Sequence, residues 1–382
     1  MQRVALAMPK YQQVYEALRR EIESGVLPPG ARVPSEADLG RRFGASRITV
    51  GRAVRDLQHL GLVERKVGSG TFVRGPRLGS GSGPQAGDCT FAVLVPDLPD
   101  IEIFEPLVQG LMSAPAARAH AFLWGGGDET AGPSRAAAAW RRTQQYIARG
   151  VDGVFLAPLE GLAPDDPTNL RIVTALDAAR IPVVLLDRSV HPYPKRGPYD
   201  LVGIDNRRVG FAITEHLLGH GASRVAFLAA SRAASTVQAR RAGYREALDA
   251  LGGDPGLASV PVPAPSDREA VARYLDVHRP DAVVCANDRG AAQLMHTVLA
   301  LGRTVPTDLR ITGVDDVEYA GWLPVPLTTM RQPVRQIGEA ALAAMLERRT
   351  RPDGPARDIF VQATLVVRES CGAVAAQRAE SA

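Results

Sequence analysis

Asp187 and Arg188 close the apolar run VVLL, Asn287 and Asp288 close AVVCA, and Asp315 and Asp316 close ITGV. Arg240 stands just before the helix-like segment RAGYREAL, and Phe104 follows the first apolar run in the same part of the chain. Carboxylate, amide and guanidinium groups offer acceptors and donors together. That suits a polyhydroxylated ligand, because each hydroxyl both donates and accepts. An aromatic face covers the apolar side of a sugar ring. Singly, each residue has a plainer role: Asp187–Arg188 as a surface ion pair, Asn287–Asp288 as a helix cap, Asp315–Asp316 as turn chemistry, Phe104 as core. Their recurrence at the ends of apolar runs marks a ligand cleft. Its candidate residues are Phe104, Asp187, Arg188, Arg240, Asn287 and Asp315.

A second group near the N-terminus suits phosphate and base edges. Arg47, Thr49 and Arg52 leave the apolar stripe Val50, Ala53, Val54 and Leu57 and lie near the start of its helical pattern. Arginine presents a fork to guanine, and threonine meets a hydroxyl partner or a thymine methyl. Arg41, Arg42, Arg65 and Lys66 add charge toward a phosphate backbone, with simple solvation as the alternative for the first two. Gly68 and Gly70 sit in a tip, Val67-Gly68-Ser69-Gly70, where glycine allows a tight hairpin and close approach to a phosphate or groove.

These residues need elements to hold them. Tyr11–Ser24 has helical periodicity, with Val14, Leu18 and Ile22 on one face. Ser35 and Ser46 are placed to cap the next two helices, which a turn at Gly44 joins. Leu62–Lys66 and Thr71–Arg74 read as a hairpin. Two helices, a tight turn and a wing define a winged helix-turn-helix, whose second helix enters the major groove by its N-terminal end. Residues 1–74 are therefore read as the DNA-binding head, with Ser35, Arg41, Ser46, Arg47, Thr49, Arg52, Lys66, Gly68 and Gly70 as its contact residues.

Residues 75–89, including GPRLGSGSGPQAGD, are rich in Gly, Ser and Pro and read as a flexible linker spanning roughly 20 Å. From Thr90 the pattern alternates. Strand candidates are Phe91–Val95, Ala121–Trp124, Gly153–Ala157, Pro182–Asp187, Leu201–Ile204, Arg224–Ala229, Ala282–Ala286 and Ile311–Val314. Helical stretches such as Arg135–Arg149, Arg208–His220, Ala239–Leu251 and Arg268–Val277 lie between them. The alternation predicts an α/β fold of parallel sheets flanked by helices, and the strand number predicts two lobes over residues 90–370. Ligands bind beyond the carboxyl ends of such strands. Residues 371–382 read as a disordered tail.

Composition sets bounds. The 382 residues suffice for two or three domains. The net charge is +4, yet residues 1–77 hold 14 Lys/Arg against 7 Asp/Glu, so the head carries +7 and the remainder −3. Positive charge gathers where a polyanion would bind. Cys89, Cys285 and Cys371 form neither a disulfide framework nor a metal spacing, which fits a reducing cytoplasm. No signal peptide or membrane span is expected. Gly125-Gly126-Gly127 lacks the lysine of a phosphate loop, and His216/His220 lack a third metal ligand. Trp322 is a candidate core or dimer contact. No catalytic triad or carboxylate pair stands out, so a non-enzymatic protein without cofactor or metal is expected. The alternatives, a solute-binding transport protein or a sugar-modifying enzyme, would need an export signal or an acid/base pair.

The segment PPGARVPSEADLGRRFGASRITVGRAVRDLQHLGLVERKVGSGTFV resembles the DNA-binding domain of GntR-type transcription regulators. That resemblance implies a three-helix bundle with a wing, binding pseudo-palindromic operators as a dimer. Arg47, Thr49, Gly68 and Gly70 fall on its DNA-contact positions, and Gly51 stands where many members carry Arg. From Phe91 to about Glu369, pieces such as IPVVLLDRS, VGIDNRRVGFAITEHLLGHGASRVAFLAA and PDAVVCANDRGAAQLMHTVLALGRTVPTDLRITGVDD resemble the effector domain of LacI-type repressors. This implies two lobes joined by three crossovers, closure on a small ligand that is usually a sugar, and a homodimer. Family ligand positions fall on Asp187, Arg188, Arg240, Asn287 and Asp315, with Phe104 as the ring-stacking aromatic. The linker is a poor helix former, which argues against the minor-groove hinge helix of LacI-type repressors. The residues leave the effector open among a neutral sugar, a sugar acid, a phosphate ester and a nucleoside.

Overall fold

The computed structural model describes residues 10–23, 26–28, 30–46, 49–51, 53, 54, 57, 63–66, 70–73, 88–95, 102–124, 135–163, 166–230 and 234–373. The chain forms two compact units, 1–86 and 87–382.

In the first unit, helix Lys10–Glu23 puts Val14 and Leu18 into a core completed by Leu39, Val50, Ala53 and Leu57. Helix Glu36–Phe43 starts where the Ser35 hydroxyl accepts from the Asp38 amide, 3.2 Å away. It ends at Gly44, where the sequence predicts a turn and whose φ of 56° makes it a left-handed cap. Ser46 caps the next helical stretch: its Oγ accepts from the Thr49 amide at 3.2 Å. Strands β1 (Val63–Lys66) and β2 (Gly70–Val73) pair antiparallel, Lys66 opposite Gly70. Residues 30–33 run along the far side of β2, with Val33 N–H donating to the Thr71 carbonyl at 2.8 Å. That third ribbon clamps the hairpin to the helices and was not read from the sequence.

The second unit holds two sheets. Strands β3 (Thr90–Leu94), β4 (Ala121–Trp124), β5 (Gly153–Leu156), β6 (Val183–Leu186) and β7 (Asp200–Gly203) join β12 (Asp358–Phe360) in a parallel sheet of order β12-β7-β6-β5-β3-β4. Strands β8 (Val225–Leu228), β9 (Ala282–Cys285), β10 (Arg310–Asp315) and β11 (Thr328–Arg331) join β13 (Thr364–Val366) in order β13-β11-β10-β9-β8. Only β13 runs antiparallel. The chain crosses between the sheets three times: after Gly203, after Arg331, and between Phe360 and Thr364. The two lobes and three crossovers match expectation.

The eight expected strands are present with ends shifted by a residue or two. β11, β12 and β13 escaped the sequence reading. β12 and β13 are half-exposed edge strands whose apolar runs, Ile359–Val361 and Leu365–Val367, are only three residues long. β11 buries Thr328 and Thr329, whose hydroxyls find the Arg368 carbonyl and Asp288. Two boundaries need correction. Cys89 belongs to the second unit, its thiol buried and its amide donating to His120 Nδ1 at 3.3 Å. Glu369–Cys371 forms a 3-10 turn, and Cys371 and Ala373 are buried rather than part of a disordered tail. Ser370 pins this end by donating to the Ile311 carbonyl at 2.6 Å. Residues 75–87, predicted as linker, and 374–382 lie outside the described residues.

Helices Asn206–Gly219 and Ser235–Leu251 pack backbone to backbone. A Cβ on Gly210 would land on the Arg240 carbonyl, and one on Gly243 on the Arg207 carbonyl. Since Arg240 reaches the cleft from this helix, the glycines set its position. Gly210→Ala should lower stability by about 1–3 kcal/mol through overpacking, despite alanine's better helix propensity. Urea denaturation of the full chain measures it.

Candidate functional site: the interlobe cleft

The cleft lies beyond the carboxyl ends of strands from both sheets, where open α/β sheets place their ligands. Asp187, Arg188, Arg240, Asn287 and Asp315 line one cavity of ≈ 70 Å³. Each arrives by a local device. Asp187 leaves β6 with φ 67°, which turns its carboxylate back under Arg188. Arg188 is 6% exposed and clamped: Nε and a terminal nitrogen donate to Asp187 Oδ2 at 3.0 and 2.8 Å, and the other reaches Glu160 Oε2 at 2.5 Å. Arg240 enters from the opposite lobe, equally buried. It donates to Asn206 Oδ1 at 2.8 Å and to the Ala286 carbonyl at 2.5 Å.

Asn287 caps helix Asp288–Ala300, its Oδ1 accepting from the Gly290 amide at 2.8 Å. The plainer reading of Asn287 thus holds, and its side chain also faces the cavity. Asp288 does not line the cavity. It is fully buried behind it, accepting from Thr329 Oγ1 at 2.6 Å and the Val317 amide at 3.1 Å, with Gly313 leaving room for it. Asp315 carries a φ of 125° and accepts from Gln332 Nε2 at 2.7 Å. Asp316 turns away to Arg331 and Arg368, at 2.5 and 2.6 Å.

Phe104 differs from expectation. It begins helix Phe104–Ser113 but is fully buried in the core, not along the cavity wall, with the Arg188 guanidinium 5.7 Å from its ring centroid. No face of it remains for a sugar ring. The sequence reading missed Glu102, Ile103, Glu160, Thr236, Val237 and Arg289. Glu160 follows β5 as Asp187 follows β6, so the strand-end rule applied once more would have found it.

A larger recess of ≈ 820 Å³ lies at the opposite, amino ends of β5 and β6. No expected site residue lines it, and Asp152 is paired with Arg349, Asp177 with the Tyr199 hydroxyl and Arg348 with Asp200. His216 and His220 lie close near the end of their helix, ring centroids 4.3 Å apart and tilted by 45°, and His216 Nε2 meets Cys371 Sγ at 3.3 Å. Burial, with His220 nearby, pushes the His216 pKa down to about 4. No group of three metal-ligating side chains is placed to hold an ion among the described residues. Nor is any described helix long and apolar enough to cross a membrane. Trp322 is 74% exposed, which removes it from the core.

In the first unit, the Ser46 and Thr49 hydroxyls hydrogen-bond each other at 2.8 Å beside the cap. Arg41 is exposed and paired with Asp38, one turn away. Arg42 pairs with Glu21 and lies over the Phe43 ring. Arg47, Arg52, Gly68 and the Lys66 side chain lie outside the described residues.

A winged-helix unit followed by a two-lobed α/β clamp defines a class of ligand-responsive regulators. The profile of the gntR family of bacterial regulatory proteins matches residues 10–73, and that of the periplasmic binding protein-like domain matches residues 214–371. An arabinose metabolism transcriptional repressor of Geobacillus stearothermophilus is 26% identical over 95% of this chain and 98% of its own length. A solved structure from Sanguibacter keddieii, assigned to the LacI family of transcriptional regulators, is 32% identical; TM-score 0.55, covering 75% of this chain and all of that one. A ribose-bound LacI-family regulator from Enterococcus faecium shares the fold at 22% identity, TM-score 0.60, over 74% of this chain and 98% of its own. The chain joins a gntR-family DNA-binding head to a periplasmic-binding-protein-like effector domain of the LacI type.

Two cleft-associated carboxylates hold protons above the usual range. Burial, then Asp288 and Asp187 against the opposing pull of Arg240, raises the Asp315 pKa to about 7. Burial raises that of Asp288 to about 6. For a carboxyl whose folded pKa is raised, the folded state binds the extra proton, so its stabilising contribution is lost as pH rises through the folded value. Stability should therefore fall between the ordinary carboxylate range and about pH 7, and Asp315→Asn should flatten that slope. Thermal unfolding across this range checks it.

Proposed function

We propose that this protein is a transcription regulator, acting as a repressor, that binds a pseudo-palindromic operator as a dimer in the cytoplasm and is released by a small carbohydrate held in the interlobe cleft. The observation that carries the reading is one cavity lined by hydrogen-bonding groups from both lobes, in a chain that also carries a gntR-family head. The name of the Geobacillus relative and the ribose held by the Enterococcus structure favour a sugar as the effector. The basic excess of residues 1–77 favours DNA as the partner of the head.

Sugar occupancy gains contacts from both lobes only when the cleft is closed, so it shifts the population toward closure. In a dimer, closure changes the spacing of two heads that must fit half-sites about 34 Å, or a multiple of it, apart. A coupling of about 1–3 kcal/mol would change operator affinity roughly 5- to 150-fold. Because linkage is reciprocal, operator binding weakens sugar binding by the same factor.

The test is titration of the full chain onto DNA fragments flanking its own gene, with and without a panel of pentoses and hexoses. Operator binding weakened by one sugar is expected. Absence of DNA binding under every condition defeats the reading. In the head, Arg47→Ala should relax sequence preference, whereas Arg41→Ala should weaken all sequences alike and reduce the salt slope by about 1. Binding isotherms on operator and scrambled DNA at several salt concentrations separate the two roles.

A further inference from the structure

The cleft's charges bear on which effectors it admits, and this step rests on its being the effector site. Four carboxylates and three guanidiniums line the cavity, a net of −1, and Asp288 stands directly behind them. Guanidiniums in a sugar site ordinarily suggest an anion. Here the two that reach deepest are committed elsewhere. Arg188 is held by Asp187 and Glu160, and Arg240 by Asn206 Oδ1 and the Ala286 carbonyl. A phosphate or carboxylate that recruited Arg188 would strand the buried Asp187 and the half-buried Glu160, and a buried charge without its partner is strongly unfavourable.

Asp315 adds to the asymmetry. It faces Asp187 from the other lobe, Asp288 from helix Asp288–Ala300 and Arg240 from helix Ser235–Leu251, while Gln332 donates to one of its oxygens. Two carboxylates, Asp187 and Asp315, thus line the cavity from opposite lobes, with Asp288 buried behind it. Closing the lobes on a negative ligand would add like charge to that convergence. A ligand with hydroxyl or ammonium donors would instead supply hydrogens to acceptors that lie ready.

We propose that the cleft excludes negatively charged ligands and takes a donor-rich one, an uncharged polyol or a protonated amino sugar, with Asp315 as the residue that sets this discrimination. Phosphate esters and sugar acids, left open by the sequence, are thereby ruled out as effectors. Repulsion of this kind is a specificity device separate from the attractive contacts.

Isothermal titration of the full chain tests it, above pH 7 so that Asp315 is ionised. The probes are L-arabinose, D-ribose, D-glucose, D-galactose and cellobiose; glucosamine and galactosamine; and ribose 5-phosphate, glucose 6-phosphate, glucuronate and galacturonate. The best neutral or amino sugar should bind roughly 100-fold more tightly than its anionic counterpart, the scale expected for like-charge juxtaposition. Whether the neutral or the amino form binds tighter identifies the donor. Asp315→Asn should narrow the gap about tenfold by strengthening the anion, and thermal unfolding verifies that this variant is folded. An anionic derivative that binds as well as its neutral parent overturns the inference and leaves the regulator reading intact. A gap unchanged in a folded Asp315→Asn protein overturns the role of Asp315. Failure of every sugar to bind, charged or not, overturns the carbohydrate reading and this inference with it.

Discussion

A buried charge has to be answered within the protein, and much of the effector domain is organised by that requirement. Asp200 is fully buried at the start of β7 and takes Arg348 and Arg357 as partners, tying the first sheet to the long helix Val334–Thr350. Asp316 takes Arg331 and Arg368, tying β11 to the chain's last turn. Arg188 takes Asp187 and Glu160. Removing one member of such a set leaves an unpaired charge in a medium that solvates it poorly, which costs far more than the intact set contributes. These groups are therefore held in place with little freedom, and the cavity they line is preorganised.

The same fixed groups lie around a movable joint. Only three short crossovers connect the lobes, near residues 203–206, 331–334 and 360–364. Each lobe has parallel strands covered by helices, so rotation at the crossovers changes little inside either core. The cavity draws on both lobes, so its contacts are complete only in one relative position. A ligand has differential affinity for the closed arrangement for that reason, and without differential affinity no equilibrium would shift.

The head follows different physics. Its core is small: among the described residues, ten buried apolar side chains gathered from two helices, the ribbon at residues 30–33, the third helical stretch and the wing. Ser35 and Ser46 satisfy amides at two helix starts, and Gly44 ends one helix with the backbone conformation that a side chain disfavours. Short-range rules set these features, and Lys10, Arg32, Arg41 and Arg42 are exposed on this unit.

That contrast separates what the sequence by itself determined from what the fold decided. Caps, the Gly44 turn, the wing and eight strands were legible because periodicity, capping chemistry and apolar runs act over a few residues. Five of the eleven residues that line the cavity were legible, four of them, Asp187, Arg188, Asn287 and Asp315, because the strand-end rule converts a local pattern into a position in space. Strands β11, β12 and β13 were not, since the buried threonines of β11 and the half-exposed faces of the edge strands β12 and β13 carry no local signature. Phe104 was misplaced for a related reason: an aromatic after the first strand looks the same in sequence whether it faces a ligand or the core. Only the tertiary structure set it beneath Arg188, committed Arg188 and Arg240 to internal partners, and brought Asp187, Asp288 and Asp315 together. Apart from the neighbouring Asp187–Arg188 pair, those pairings join residues tens to more than a hundred positions apart, and electrostatic balance depends on distance in space rather than along the chain.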